Sequence, residues 1–300
     1  ANKFFFPKGT YLISMTEGDS LAYFNGRSGI RIIGDGATIY NSYNSWTTTN
    51  DFTNIFWFNN CNDIVVDGVN YDGVALTDFK TYVGYRGATF VYATTGTRNI
   101  TVNAYLRHLR YGVHSGSYGT PALGGCSIFR GNIVADSVGY PLATYLADDI
   151  EMSINAVATH RAAYVAGCRH LRLNAKFKDF YIAPIQVLLT DALVSSGVSR
   201  GVSDAIVYAT DMGSTTYVAN SAATGISLSR VDSGTTFSDI DLNFNIRADD
   251  TTASTMGGVI INSSVVSVIP GSYDYNWEQY IYLRNIRIHG LIDRRQQTVA

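Results

Sequence analysis

Three carboxyls fall within four residues at Asp148, Asp149 and Glu151, and Glu151 is one of only three glutamates in the chain, with Glu17 and Glu278. Hydrolysis of a glycosidic bond uses two carboxyls. One is protonated to feed the leaving oxygen, and one is ionised to attack or to activate water, at roughly 5 to 5.5 Å for retention or 6.5 to 9.5 Å for inversion. Twenty-one residues further on stand Arg169, His170 and Arg172. If the chain returns to the same place every 21 residues, Glu151 lies beside Arg172, Asp149 beside His170 and Asp148 beside Arg169. Asp149 and Glu151 are then the candidate catalytic pair, with Asp148 and Asp179 as further acids. Arg172 is placed to orient an anionic sugar, His160 and Arg161 enter from the following corner, and Tyr43 and Trp46 offer rings for stacking on a sugar face. The same residues also read as a cross-strand ion-pair ladder, worth only about 0 to 1 kcal/mol per exposed pair.

Other groups are weaker candidates. The run Arg107-His108-Leu109-Arg110-Tyr111-Gly112-Val113-His114 holds cations, imidazoles and a phenol. That set suits β-elimination, in which a cation neutralises a uronate carboxylate and Tyr or His takes the proton beside it. Asp67 and Asp72 have glycine neighbours and read as turn residues. Asp241 with Arg287, and Asn243 with His289, share a register and make a second polar patch. No zinc-helix, calcium-loop or phosphate-loop motif is present, so no metal or cofactor is expected.

The elements that must carry these residues are short alternating apolar runs, each opened by a turn-forming or polar residue. They lead at Ile30, Ile64, Ile100, Ile150, Leu171, Ile240 and Ile286. Their intervals are about 21 residues at the shortest, and the longer ones fit turns that carry insertions or two turns at once. Alternation puts Ile150, Met152 and Ile154 inward and Glu151, Ser153 and Asn155 outward. Runs this short cannot bury an apolar side alone, so like units must stack into a continuous interior. The fold expected is all-β, a right-handed parallel β-helix with loop insertions at 41–54, 115–125, 191–202 and 248–258, in one domain over 1–300. The stretch from Tyr273 to Tyr282 is dense in aromatics and suits an end cap, a subunit interface or a sugar contact.

Composition agrees with strands. The chain has 300 residues, Lys+Arg 22 against Asp+Glu 24, only 15% charged residues, 28 glycines and 21 tyrosines. Scarcity of Glu and Lys disfavours long helices, and near-neutral charge excludes an electrostatic nucleic-acid binder. No apolar run approaches the roughly 20 residues of a membrane-spanning helix. Cys61, Cys126 and Cys168 are widely spaced, and an odd count gives no disulfide framework.

The segment Phe6-Pro7-Lys8-Gly9-Thr10-Tyr11-Leu12-Ile13, followed by Ile30-Arg31-Ile32-Ile33-Gly34-Asp35-Gly36-Ala37-Thr38-Ile39, resembles the opening of pectin-lyase-like β-helices. The likeness is closest in character to bacteriophage tailspike depolymerases, and it runs through Tyr71-Asp72-Gly73. It implies a carbohydrate-active homotrimer that acts on a bacterial surface polysaccharide, capsule or O-antigen. The chain is then expected in a phage virion tail, or otherwise secreted, as a fragment lacking an N-terminal cap and attachment segment. Hydrolysis is the first expectation, elimination the second, and a non-catalytic binding or structural β-helix the third. Of the pectin hydrolases' signatures only an Asp-Asp pair occurs, at Asp148-Asp149, in a different context.

Overall fold

The computed structural model describes residues 2–16, 18–43, 53–74, 87–94, 96–116, 128–159, 163–180, 185–188, 203–214, 224–229, 236–248, 257–262 and 282–294. Among these every regular element is a strand, and every strand pair is parallel. The strands are β1 (Lys3–Phe6), β2 (Thr10–Ile13), β3 (Ser20–Asn25), β4 (Arg31–Asn41), β5 (Asn54–Asn59), β6 (Asn62–Asp72), β7 (Thr89–Thr94) and β8 (Arg98–Ser115). They continue as β9 (Ile128–Thr159), β10 (Ala163–Phe180), β11 (Ile185–Leu188), β12 (Ser203–Ser214), β13 (Thr224–Ser229), β14 (Thr236–Ala248), β15 (Gly257–Asn262) and β16 (Tyr282–Arg294). The expected insertions at 41–54, 115–125, 191–202 and 248–258 lie mostly outside the described residues, and Gly257 and Gly258 belong to β15.

The registers wind these strands into a coil with three legs per turn. On the first leg, Lys3 aligns with Arg31, Arg31 with Val65, Val65 with Thr101 and Thr101 with Arg130. Farther along, Glu151 aligns with Arg172, Arg172 with Ile206, Ile206 with Asp241 and Asp241 with Arg287. The second leg stacks Ile39 on Tyr71 and Tyr71 on Leu106. The third leg stacks Phe56, Val91, Val113, Leu142, Ala163 and Ile185 in succession. The architecture is the expected parallel β-helix, and parallel crossover connections are right-handed in about 98% of cases.

The repeat intervals are now resolved. Ile100 aligns with Phe129 and Leu171 with Ala205, so the two longest intervals each hold two turns. The recurrent Asx-Ile opening also has a cause. Asp63, Asn99 and Asp239 have φ of 54°, 54° and 56°, each one residue before Ile64, Ile100 and Ile240, and Gly29 does the same before Ile30 with φ 68°. This left-handed corner between the third and first legs is a conformation that Gly, Asn and Asp tolerate best. The Asn99 Nδ2 donates to Asn62 Oδ1 at 3.2 Å and to Asp63 Oδ1 at 3.0 Å, tying one corner to the next.

The core is the line of inward residues inside the coil. Ile30, Ile64, Ile100, Phe129, Ile150 and Leu171 lead each turn and are fully buried. Each contributes about 1.5 to 3 kcal/mol relative to exposure, and only with neighbours above and below to cover it.

Candidate functional site

The outward first-leg residues form an open groove of about 520 Å³ across four successive turns. One row runs through Thr101, Arg130, Glu151 and Arg172, and a second through Asn103, Asn132, Ser153 and Asn174. Between them lie Gly131, Met152 and Leu173, which belong to the inward positions. Gly131 has φ 128°, and a Cβ there would be driven into the Val102 carbonyl, so the wall at this point is bare backbone.

Two of the candidate acids are joined by one cation. The Nη2 of Arg130 lies 3.5 Å from Asp149 Oδ2, and its Nε lies 3.5 Å from Glu151 Oε2. Asp149 and Glu151 are two apart on β9, so they face the same side with Cα atoms about 6.4 to 6.8 Å apart. The expected register holds, with Glu151 opposite Arg172 and Asp149 opposite His170. Its electrostatics differ from the expectation. The ion pairs of Glu151 and Asp149 run to Arg130 on the preceding turn, while the Arg172 Nη1 donates to the Leu171 carbonyl at 3.2 Å. A strand wall gives every residue a neighbour on each side, and Arg130 reaches both acids from the preceding turn.

Asn103 and Asn132 extend the polar lining. The Asn103 Nδ2 donates to Asp67 Oδ1 at 3.2 Å, and both the backbone N–H and Nδ2 of Asn132 donate to Asn103 Oδ1, at 3.0 and 3.3 Å. These bonds fix the amides while leaving their outer edges toward the groove.

The remaining candidates are dispersed. Asp148 is half-buried one residue before Asp149. The backbone of Asp179 lies near the end of β10, where Phe180 aligns with Thr159, at the corner after the second leg and away from the groove. Tyr43 follows β4 and packs half-buried against the core, so it does not line the groove with Glu151. His160, Arg161, Trp46 and most of the Tyr273–Tyr282 stretch lie outside the described residues. Asp241 aligns with Arg287 and Asn243 with His289, as their spacing requires.

The Arg107–His114 run does not assemble as one site. His108 sits at a corner with φ 51°, its Nδ1 2.8 Å from Asp72 Oδ1. Arg107 bridges Asp72 and Asp136, each at 3.4 Å. His114 is instead buried on the third leg, stacked on Tyr111 at 4.3 Å and Tyr92 at 5.1 Å between centroids. Burial, helped by nearby Arg110, lowers its pKa to about 3, so the ring is neutral at ordinary pH. The neighbouring Tyr145 phenol is pushed up by burial and by Tyr164, Tyr111 and Tyr140. His114 is buried among the third-leg rings, closed off from a glycan, and the two imidazoles lie on different parts of the coil.

Arg130 is the residue that sequence reasoning missed. Its turn opens Ser127-Ile128-Phe129, without the Asx signature, so the repeat there was hidden.

No protein-family model matches the chain, and no curated protein matches it. Two solved structures match along its whole length: the catalytic domain of GH87 alpha-1,3-glucanase in complex with nigerose, and an Asp-to-Ala variant of that domain with the same ligand. Their identities are 10% and 9%, and the TM-score is 0.43 for both. The chain spans 64% of the length of those chains. The parallel β-helix is read from this chain's own registers, and no residue role is carried over from these neighbours.

Proposed function

We propose that the first-leg groove binds and hydrolyses a polysaccharide, with Asp149 and Glu151 as the acid and the nucleophile or base. The observation that carries this reading is the pair of outward carboxyls two residues apart, joined through Arg130 inside an open groove lined by amides. The amides of Asn103, Asn132 and Asn174 are suited to sugar hydroxyls, and Arg172 to a carboxylate-bearing sugar.

The resemblance of the first 75 or so residues to tailspike depolymerases supports the finer reading. On it the substrate is a bacterial capsule or O-antigen, the chain is one domain of a longer homotrimeric tail protein, and it acts at the host surface. Elimination on a uronate glycan is the second reading, favoured by the two guanidinium groups, Arg130 and Arg172, that line the groove.

Incubation with purified capsule or lipopolysaccharide tests these together. New reducing ends without the ultraviolet absorbance of an unsaturated uronate support hydrolysis. Both signals support elimination, and neither signal with retained binding overturns the enzyme reading. Glu151→Gln and Asp149→Asn are each expected to lower cleavage roughly 10²-fold or more with folding intact. Unchanged cleavage in both would move the chemistry elsewhere.

A further inference from the structure

The third leg carries a surface that the groove does not use. Its outward row runs Tyr23, Trp57, Tyr92 and His114 on successive turns. The rings touch throughout, with centroids 4.8 Å apart for Tyr23 and Trp57, 5.8 Å for Trp57 and Tyr92, and 5.1 Å for Tyr92 and His114. Exposure rises steadily along this row, from buried His114 and Tyr92 through half-buried Trp57 to Tyr23 at 52%. The inner rings therefore form a base on which the outer two are displayed.

A chain of hydrogen bonds fixes the displayed end. The Trp57 Nε1 donates to Thr94 Oγ1 at 3.1 Å, and Thr94 Oγ1 donates to Asn59 Oδ1 at 2.9 Å. The Asn59 Nδ2 then donates to Asn25 Oδ1 at 3.1 Å and to the Tyr23 hydroxyl at 3.4 Å. The chain ends at the surface on two groups with protons to give, the Asn25 amide and the Tyr23 hydroxyl. Trp57, Asn59, Thr94, Tyr23 and Asn25 are all uncharged. Rigid aromatic faces flanked by neutral hydroxyl and amide donors suit a ligand with an apolar C–H face and a rim of hydroxyls. Holding these side chains in place beforehand also reduces the entropy lost on binding.

We propose that Tyr23 and Trp57, with Asn25 and Asn59, form a second carbohydrate-binding site for a neutral glycan, separate from the first-leg groove. A sugar ring stacks on the Tyr23–Trp57 surface, and its hydroxyls bond Asn25 and the Tyr23 phenol. The site lies on another leg and on earlier turns than Asp149 and Glu151, and it does not depend on any cleavage there.

The test is saturation-transfer NMR and titration of the whole chain with laminarihexaose, cellohexaose and maltohexaose. At least one of these neutral oligosaccharides is expected to bind. Tyr23→Ala is expected to weaken that binding about tenfold, which corresponds to about 1.4 kcal/mol. Tyr23→Phe keeps the ring and is expected to lose much less, and it guards against misfolding of the edge strand as the cause. The proposal is overturned if none of the three sugars binds, or if Tyr23→Ala binds as the unsubstituted chain does. It is equally overturned if Tyr23→Ala changes only the sedimentation of the chain, because the surface would then be an interface with a second copy.

Discussion

Lowering the pH from neutral should destabilise the coil through His114, and replacing this one ring should remove that part of the acid sensitivity. His114 is buried between Tyr111 and Tyr92, and its pKa falls from 6.5 to about 3. An unfolded chain protonates this imidazole near its ordinary pKa, whereas the folded chain resists until about pH 3. Between those values the unfolded state binds more protons, so stability is fully present above about 6.5 and is lost as the pH falls. The loss attributable to this ring is about 2 kcal/mol at pH 5 and about 4 kcal/mol at pH 3. Arg110 is the charge that adds to burial in lowering the pKa of His114, and the ring's aromatic neighbours are Tyr92, Tyr111 and Tyr145. His114→Phe keeps an aromatic ring in the stack and removes the titration. Chemical denaturation followed by tryptophan fluorescence at about pH 7, 6 and 5 gives the slope for each protein. Any constant cost of the substitution cancels in the comparison of slopes, and so do other titrating groups. The reasoning is refuted if both proteins lose stability in parallel between pH 7 and 5.

Two further outcomes follow from the groove. Arg130→Ala removes a half-exposed partner of two acids, so stability should change by no more than about 1 kcal/mol in thermal or chemical melts. Cleavage, by contrast, should fall, because both candidate acids lose the cation that holds them at 3.5 Å, and assay of reducing ends checks this. Gly131→Val should fail to accumulate as folded protein, or should lower stability by roughly 2 kcal/mol or more, because φ of 128° and the Val102 carbonyl leave no place for a side chain. Circular dichroism and the melting midpoint check this, and a fully stable valine variant would contradict the backbone path at the groove.

Most of the fold could be read in the sequence because the corner demands a residue type. Asp63, Asn99 and Asp239 occupy left-handed corners that exclude most side chains, and the Ile that follows each one repeats the signal. Where the corner changed, the signal vanished. Phe129 and Ala205 lead turns of the same stack, yet Ile128 precedes the first, and the second is a small residue that hardly marks an apolar run. Losing the Phe129 turn concealed Arg130, and with it the actual partner of Asp149 and Glu151. The buried third-leg rings were concealed for a different reason. Strand alternation assigns Tyr92, His114 and Tyr164 to the outer side, but ring stacking and tertiary covering leave them 5%, 3% and 9% exposed. Periodicity reports the direction of a side chain, and burial depends on what the rest of the chain lays over it.

The two charged clusters differ in a way that favours the groove as the place for chemistry. Each is built around an arginine with two acids. Arg107 reaches Asp72 on the turn before and Asp136 on the turn after, and Asp72 is held again by His108 while Asp136 accepts from Ser137 at 3.0 Å. Its acids are satisfied from both sides, and the arrangement works as a staple across three turns. Arg130 instead reaches Asp149 and Glu151, both on the following turn, and on the preceding turn it meets the uncharged Thr101. The Glu151 side chain remains 66% exposed, and the bare backbone of Gly131 lies beside it in the groove. A carboxylate that is paired on one side only and open on the other can exchange its partner for a ligand at small cost, whereas the acids around Arg107 cannot do so without loosening three turns at once.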